Sequence, residues 1–337
     1  MAAMPVAPAP ALPALDGPPD ATLDPNQFEA LRFIAGIPCA VRVHAADARL
    51  ARTGSAAALG EITRVLAKFD GGSRQSEVAA VNASAAIEEV FVSEETHSLL
   101  QRCLELCRRT TGAFDLTVAS FDYLWNFAAR PFVRPLPEEV SARRALSGCQ
   151  HLAIKPTRAV RLMQPGVRVT LQDMVHGHAL ERAAATLRKA GIEHFRLRVG
   201  HDVYVQGRAG TRHWYVAVPH PRNPEASLVQ LYLGSQCAAT RSDSDRFVLK
   251  NGRRYHDVLD PRTGQPADSV VQVTVISPDA PLADALSAAV FVLGPKAGLA
   301  LLATEKNAQG FVIDRTGKVH ASKGMADLAR LPARVEL

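Results

Sequence analysis

The sequence predicts an α+β fold with mainly antiparallel sheets and flanking helices. Three observations carry this expectation. Short apolar, β-branched runs recur at 195–199, 203–206, 214–218, 229–233, 238–240, 270–276 and 310–314. Helical spacing of apolar residues marks 55–69, 93–111, 173–190, 283–293 and 295–304. The two kinds of segment mix without the strict strand–helix alternation of a parallel sheet, and no short-period repeat is present.

In chain order, residues 27–43 suggest a strand pair ending in Pro38-Cys39-Ala40-Val41-Arg42-Val43. The helix over 55–69 runs into the flexible loop Asp70-Gly71-Gly72-Ser73. A short helix follows at 76–82. Ser93-Glu94-Glu95-Thr96 then reads as a capping-box start for a helix ending at Gly112, a C-cap. The aromatic run from Phe121 to Phe127 reads as core or pocket wall. A proline-rich loop over 130–137 leads to a short helix at 137–146, and strands are expected at 160–163 and 167–171. Gln172 or Asp173 caps the helix that follows.

The stretch 253–266 reads as a polar strand end entering a tight turn, with Pro261 presetting φ and Gly264 free to take positive φ. It brings His256, Asp257, Asp260 and Arg262 to one sheet edge, with Asp284 in the helix after the next strand. Such a cluster suits anion or metal chemistry. The plainer alternative is a hairpin corner with charged decoration.

With 337 residues, 47% apolar and 21% charged, the chain can bury a large core and reads as a soluble globular protein. Its net charge of +6 is spread along the sequence without a Lys/Arg block interleaved with aromatics. That pattern favours acidic or phosphorylated small molecules and argues against a nucleic-acid surface. Five widely spaced cysteines suggest buried thiols, Cys103 and Cys107 included, in place of a disulfide framework. No uncharged run of eighteen apolar residues predicts a membrane span. Residues 1–26 form an Ala/Pro-rich leader expected to be disordered, with no basic segment of a signal peptide, so a cytoplasmic location is expected. A single folded unit is expected over 27–325, with a tail at 326–337.

Four motifs then fall into a recognisable order: Gly112-Ala113-Phe114-Asp115-Leu116-Thr117-Val118, Gly200-His201-Asp202, Leu259-Asp260-Pro261-Arg262-Thr263-Gly264 and Ala283-Asp284-Ala285-Leu286. Over residues 33–313 the chain resembles the ApbE family, the FAD:protein FMN transferases. The resemblance implies a duplicated T-fold-like architecture. It also implies FAD as substrate, magnesium to neutralise its pyrophosphate, and an acceptor flavoprotein whose Thr or Ser hydroxyl receives FMN.

Carried over position by position, the resemblance makes Ala35, Gly72, Ala113, Phe114, Asp115, Thr170, His176 and Leu259 the cofactor-binding set. Several depart from the family pattern. Ala35 replaces a Met, Gly72 a Tyr, Thr170 an Asp and His176 a Lys. Gln172 and Asp173 stand for two glycines, and Arg241-Ser242 for Ser-Gly. Arg241 is thus a new cation at the flavin edge, and His176 could carry positive charge toward a phosphate. The family histidine aligns with Asp257; His256, one residue early, could replace it only if the strand twists, since neighbours face opposite ways. The implied metal positions are Asp284, Ser287 and Ala288, with Asp173 a candidate replacement ligand or, alternatively, a helix-capping carboxylate. His178 and His201 are expected to be satisfied or solvated. Two functions follow: a transferase with a remodelled site, or a catalytically inactive homologue that binds a flavin, another nucleotide or a partner protein.

Overall fold

The computed structural model describes residues 26–129 and 131–337, so the expected leader lies, but for Asn26, outside the described residues. An eight-stranded antiparallel sheet organises the rest. Its strands are β1 (Gln27–Ile34), β2 (Ile37–His44), β3 (Phe195–Val199), β4 (Asp202–Gln206), β5 (Gln236–Ser242), β6 (Val270–Ser277), β7 (Gln309–Asp314) and β8 (Val319–Ala321), and they lie side by side in chain order. The helices are α1 (Ala48–Phe69), α2 (Glu77–Ala83), α3 (Glu94–Arg109), α4 (Pro137–Arg144), α5 (Gln172–Lys189) and α6 (Ala280–Thr304).

The order exposes an internal duplication. In the first half, helices α1 to α5 are inserted between the second and third strands; in the second half, α6 is inserted at the equivalent place. The halves join where β4 pairs with β5, Val205 opposite Gln236. α1, α5 and α6 cover one face of the sheet, burying Leu59, Ile62, Met174, Leu180, Phe195 and Phe291. On the other face, the hairpin of Arg212–His220 and Asn223–Leu233 packs Trp214 and Leu231 against Phe311 and Ile313. A third cluster of Trp125, Phe127, Phe132 and Tyr255 braces the turn at 260–264 before β6, and Trp125 Nε1 donates to Gly264 O at 2.8 Å. Gly264 has φ +69, as the turn requires, and a Cβ there would overlap the Phe121 ring.

Several expectations are corrected. α1 starts at Ala48, seven residues before 55, because Asp47 accepts from Arg49 N and caps it. Residues 167–171 do not pair as a strand. The Asn82 amide takes the ladder's place, accepting from Val169 N at 2.7 Å and donating to Val169 O at 2.9 Å. The break expected between helices at 283–293 and 295–304 is present: α6 is two helical stretches that meet at a kink at Gly294 (φ 78), just before Pro295. α6 is long and apolar enough to cross a membrane by length and composition, yet it packs on the sheet and carries buried Asp284. Residues 326–337 fold back on the β7–β8 hairpin, where Val335 N donates to Gly317 O at 2.7 Å.

Candidate active site

α5 and α6 begin against each other, and Gly177 permits it. A Cβ at this position would overlap the Ala280 carbonyl and stand 2.7 Å from Pro281 Cα. The close approach carries Asp284, 2% exposed, beneath α5, where its Oδ2 accepts from Gly177 N at 3.1 Å. Asp173 lies in the first turn of α5 but does not cap it. Leu171 is the N-cap and no side chain caps the helix; Thr170 Oγ1, one residue earlier, accepts from Gln172 N at 3.2 Å.

Asp173 is instead the ion partner of Arg241, Oδ1 to Nη1 at 2.7 Å. Arg241 enters from β5, opposite Val273 of β6. Its Nη2 lies 3.4 Å from Asp284 Oδ1, and its Nε donates to Ser287 Oγ at 3.4 Å. Ser287 Oγ in turn donates to Asp284 O at 2.7 Å. Ala288 lines the cavity described below but offers no side-chain ligand. Magnesium takes about six oxygens at roughly 2.0–2.1 Å. Asp173, Asp284 and Ser287 converge instead on one guanidinium, whose positive charge already answers theirs. As folded, these residues do not fit the ion.

Burial sets the electrostatics. It pushes the Asp284 carboxyl up to about 7, against the pull of Arg241. Asp202, at the start of β4, is likewise raised by burial and by Asp284, although its Oδ1 accepts from Thr240 N at 3.1 Å. His176 Nδ1 stands 3.9 Å from Asp202. Burial and Arg241 push this imidazole down to about 4, so it is neutral near pH 7 and carries no charge toward a phosphate.

A cavity of about 50 Å³ opens beside Arg241, lined by Ala113, Phe114, Asp115, Val118, Asp173, Asp257, Val258, Leu259, Pro261, Ala288 and Val292. The 112–118 motif, the turn after Asp257 and the α5 and α6 starts therefore meet there. A phosphate-sized group is in scale; a pocket for a whole cofactor is typically at least about 300 Å³. Asp257 is exposed, while partial desolvation of its carboxyl and nearby Asp245 push it up to about 6. Arg241 and Arg246 work in the opposite direction.

Not every expected residue reaches this cavity. His256 is buried away from it: Nε2 lies 2.8 Å from Ala267 O and the ring stands edge-on to Phe291. Burial lowers its affinity for a proton. The strand does not twist, and His256 is a core residue. Ala35 (φ 50) and Gly36 (φ 79) form the exposed β1–β2 turn. Gly72, also exposed, donates its N–H to Asp70 Oδ1 at 2.9 Å. Neither Ala35 nor Gly72 lines the cavity. Asp115 lines it, but its Oδ1 also accepts from Thr117 N at 2.8 Å and caps a short 3-10 turn. His178 Nε2 pairs with Glu95 at 2.9 Å and His201 Nε2 with Asp245 at 3.3 Å.

Sequence reasoning missed Asp202 and Asp245 as charges of the site. Asp202 had a signal, its place directly after Gly200-His201 at a strand start. Cys149 had none, yet it meets Cys107 and Asp115 with ligand atoms within 4.8 Å of one another.

Fold and site define a duplicated α+β protein with an acid-rich pocket where two helix starts meet. The chain belongs to the ApbE family, whose sequence profile matches residues 35–326. It is similar to the FAD:protein FMN transferase of Vibrio cholerae, 31% identical over 68% of this chain and 70% of that one. The Treponema pallidum protein of the same name is 26% identical over 91% and 90%. Among solved structures, the ApbE protein of Thermotoga maritima superposes with a TM-score of 0.83 at 29% identity, covering 90% of this chain and 99% of its own. The flavin transferase ApbE from Vibrio cholerae gives 0.79 at 26% identity, covering 90% and 99%.

Proposed function

We propose that this chain is an FAD:protein FMN transferase. A Thr or Ser hydroxyl of an acceptor flavoprotein attacks the FMN phosphorus of FAD. The new O–P bond forms as the P–O bond to AMP breaks. AMP departs with the electron pair, and the hydroxyl proton passes to Asp257. One observation carries this reading: Asp257 and Arg241 line the same phosphate-sized cavity, a proton acceptor beside a fixed cation. With its carboxyl at about 6, Asp257 is mostly ionised at pH 7 yet still basic enough to take the proton. Arg241 faces the charge that develops on the phosphate oxygens. Phe114 and Leu259 form the apolar wall.

Incubation with FAD and a Thr-bearing acceptor domain, followed by in-gel flavin fluorescence and intact mass, tests the reading. Asp257→Asn is expected to slow transfer about a hundredfold or more, with FAD affinity little changed. FAD binding without transfer to any acceptor would make the chain a flavin-binding homologue. The reading places the acceptor in the cytoplasm, in keeping with five free cysteines, four of them buried. Fractionation of the native host reports that placement.

A further inference from the structure

We infer that Arg241 is the resident cation of this site: its guanidinium takes the place of a divalent ion among Asp173, Asp284 and Ser287, so the chain engages a nucleotide diphosphate without a metal. The nucleotide half rests on the transferase reading; the statement about metal binding stands alone.

Three features of the geometry support it. The three oxygen-bearing side chains at the implied metal positions already contact the same guanidinium, at 2.7 Å for Asp173 and 3.4 Å for both Asp284 and Ser287. An ion among those oxygens would sit against a fixed positive charge. The backbone that carries the guanidinium is also fixed. Arg241 lies within the paired stretch of β5 and β6, inside the eight-stranded sheet, and its side chain is 22% exposed. Asp284 is pinned by the Gly177 N–H. Swinging Arg241 aside would strand that buried carboxylate, a costly step. Finally, Arg241 lines the cavity itself, and a guanidinium has five N–H donors, more than these three contacts use. It can therefore present donors to phosphate oxygens while holding the two carboxylates, which is the double role a bridging metal plays.

The charge arrangement agrees with a substitution of one cation for another. Without Arg241, Asp173, Asp284 and Asp202 would face one another with no cation among the contacts described here. The pocket needs a positive charge to fold as it does, and the chain supplies it covalently.

Mn2+, a spectroscopic stand-in for magnesium, is titrated by electron paramagnetic resonance into the purified full-length chain, with no flavin present. The wild type is expected to bind no ion tightly. Arg241→Ser is expected to bind Mn2+ at least about tenfold more tightly, and R241S/D284N to lose that gain. Circular dichroism checks folding, and Arg241→Gln, which keeps more of the volume, stands in should R241S fail to fold. In parallel, FAD fluorescence is followed with magnesium and with chelator: wild-type affinity should not respond, and R241S affinity should become magnesium-dependent. Mn2+ binding by the wild type that Asp173→Asn abolishes would overturn the inference, as would variants at Arg241 that fold but gain no metal affinity. Absence of FAD binding under every condition would sink the transferase reading and leave the Mn2+ titration to decide this one.

Discussion

α5 carries two charged clusters about one turn apart, and they behave in opposite ways. Toward its start, Asp173 and His176 meet Arg241, Asp202 and Asp284. Further along, His178 and Arg182 meet Glu95 and Glu61, which also bind Arg64 and Lys68. Arg64 first, then Lys68 and His178, hold Glu95 far below the usual carboxylate range. Burial lifts Asp284 to about 7 despite its arginine. The chemistry of the partners is similar; solvation and the ratio of cations to acids are not. The outer cluster sets several cations against two glutamates at the surface. The inner one sets a single guanidinium against Asp284 and Asp202, which water barely reaches, and against the more exposed Asp173. A surface network is a fastening, whereas an acid-rich buried one is a place where a ligand's charge can matter.

Gly177 separates the two clusters, and replacing it should disturb the comparison most. Gly177→Ala puts a methyl into the Ala280–Pro281 backbone and displaces α6 from α5, for about 3 kcal/mol of lost stability by urea denaturation. The inner cluster should come apart and the outer one persist. His256→Ala comes next, at about 2 kcal/mol, because it removes the bond to Ala267 O and the edge contact with Phe291. FMN transfer corrected for folded fraction should be unchanged; a selective loss of transfer would return His256 to the chemistry.

Glu95→Gln should cost least, about 1 kcal/mol after solvent screening, and its pH dependence sharpens the contrast. Glu95 has a depressed folded pKa, so its stabilisation is present above the unfolded value of about 4.3 and fades as pH falls through the folded one. The gap between wild type and E95Q in denaturation midpoint should therefore hold at neutral pH and close in acid. A gap that stayed constant into strong acid would mean that Glu95 acts by packing.

Much of the fold was legible in the chain. Strands marked by short apolar, β-branched runs, helix caps such as Ser93, whose Oγ accepts from Thr96 N, and the Gly294-Pro295 break are local signals. Local physics answers them. The 167–171 error arose because a strand-like pattern says nothing about who supplies the hydrogen bonds, and here Asn82, distant in sequence, does. The site was legible in part. Ala113, Phe114, Asp115, Asp173, Asp257, Leu259 and Ala288 do share one cavity, and Asp284 and Ser287 stand behind its arginine. His256 could have reached the cavity only through a twist of the strand, since adjacent residues face opposite ways, and the structure keeps that alternation.

What the sequence determined by itself was the set of elements, their order, the family motifs and the unusual residues Asp173 and Arg241. Only the tertiary structure decided that these two are partners. One opens a helix and the other ends a strand 68 residues later by number, and no spacing rule links them. The side-chain-free face of Gly177 then lets α6 deliver Asp284 to the same guanidinium. Solvation was decided there too. A carboxylate's charge depends on how much water and how many cations surround it, and that is a property of packing in space, not of position along the chain.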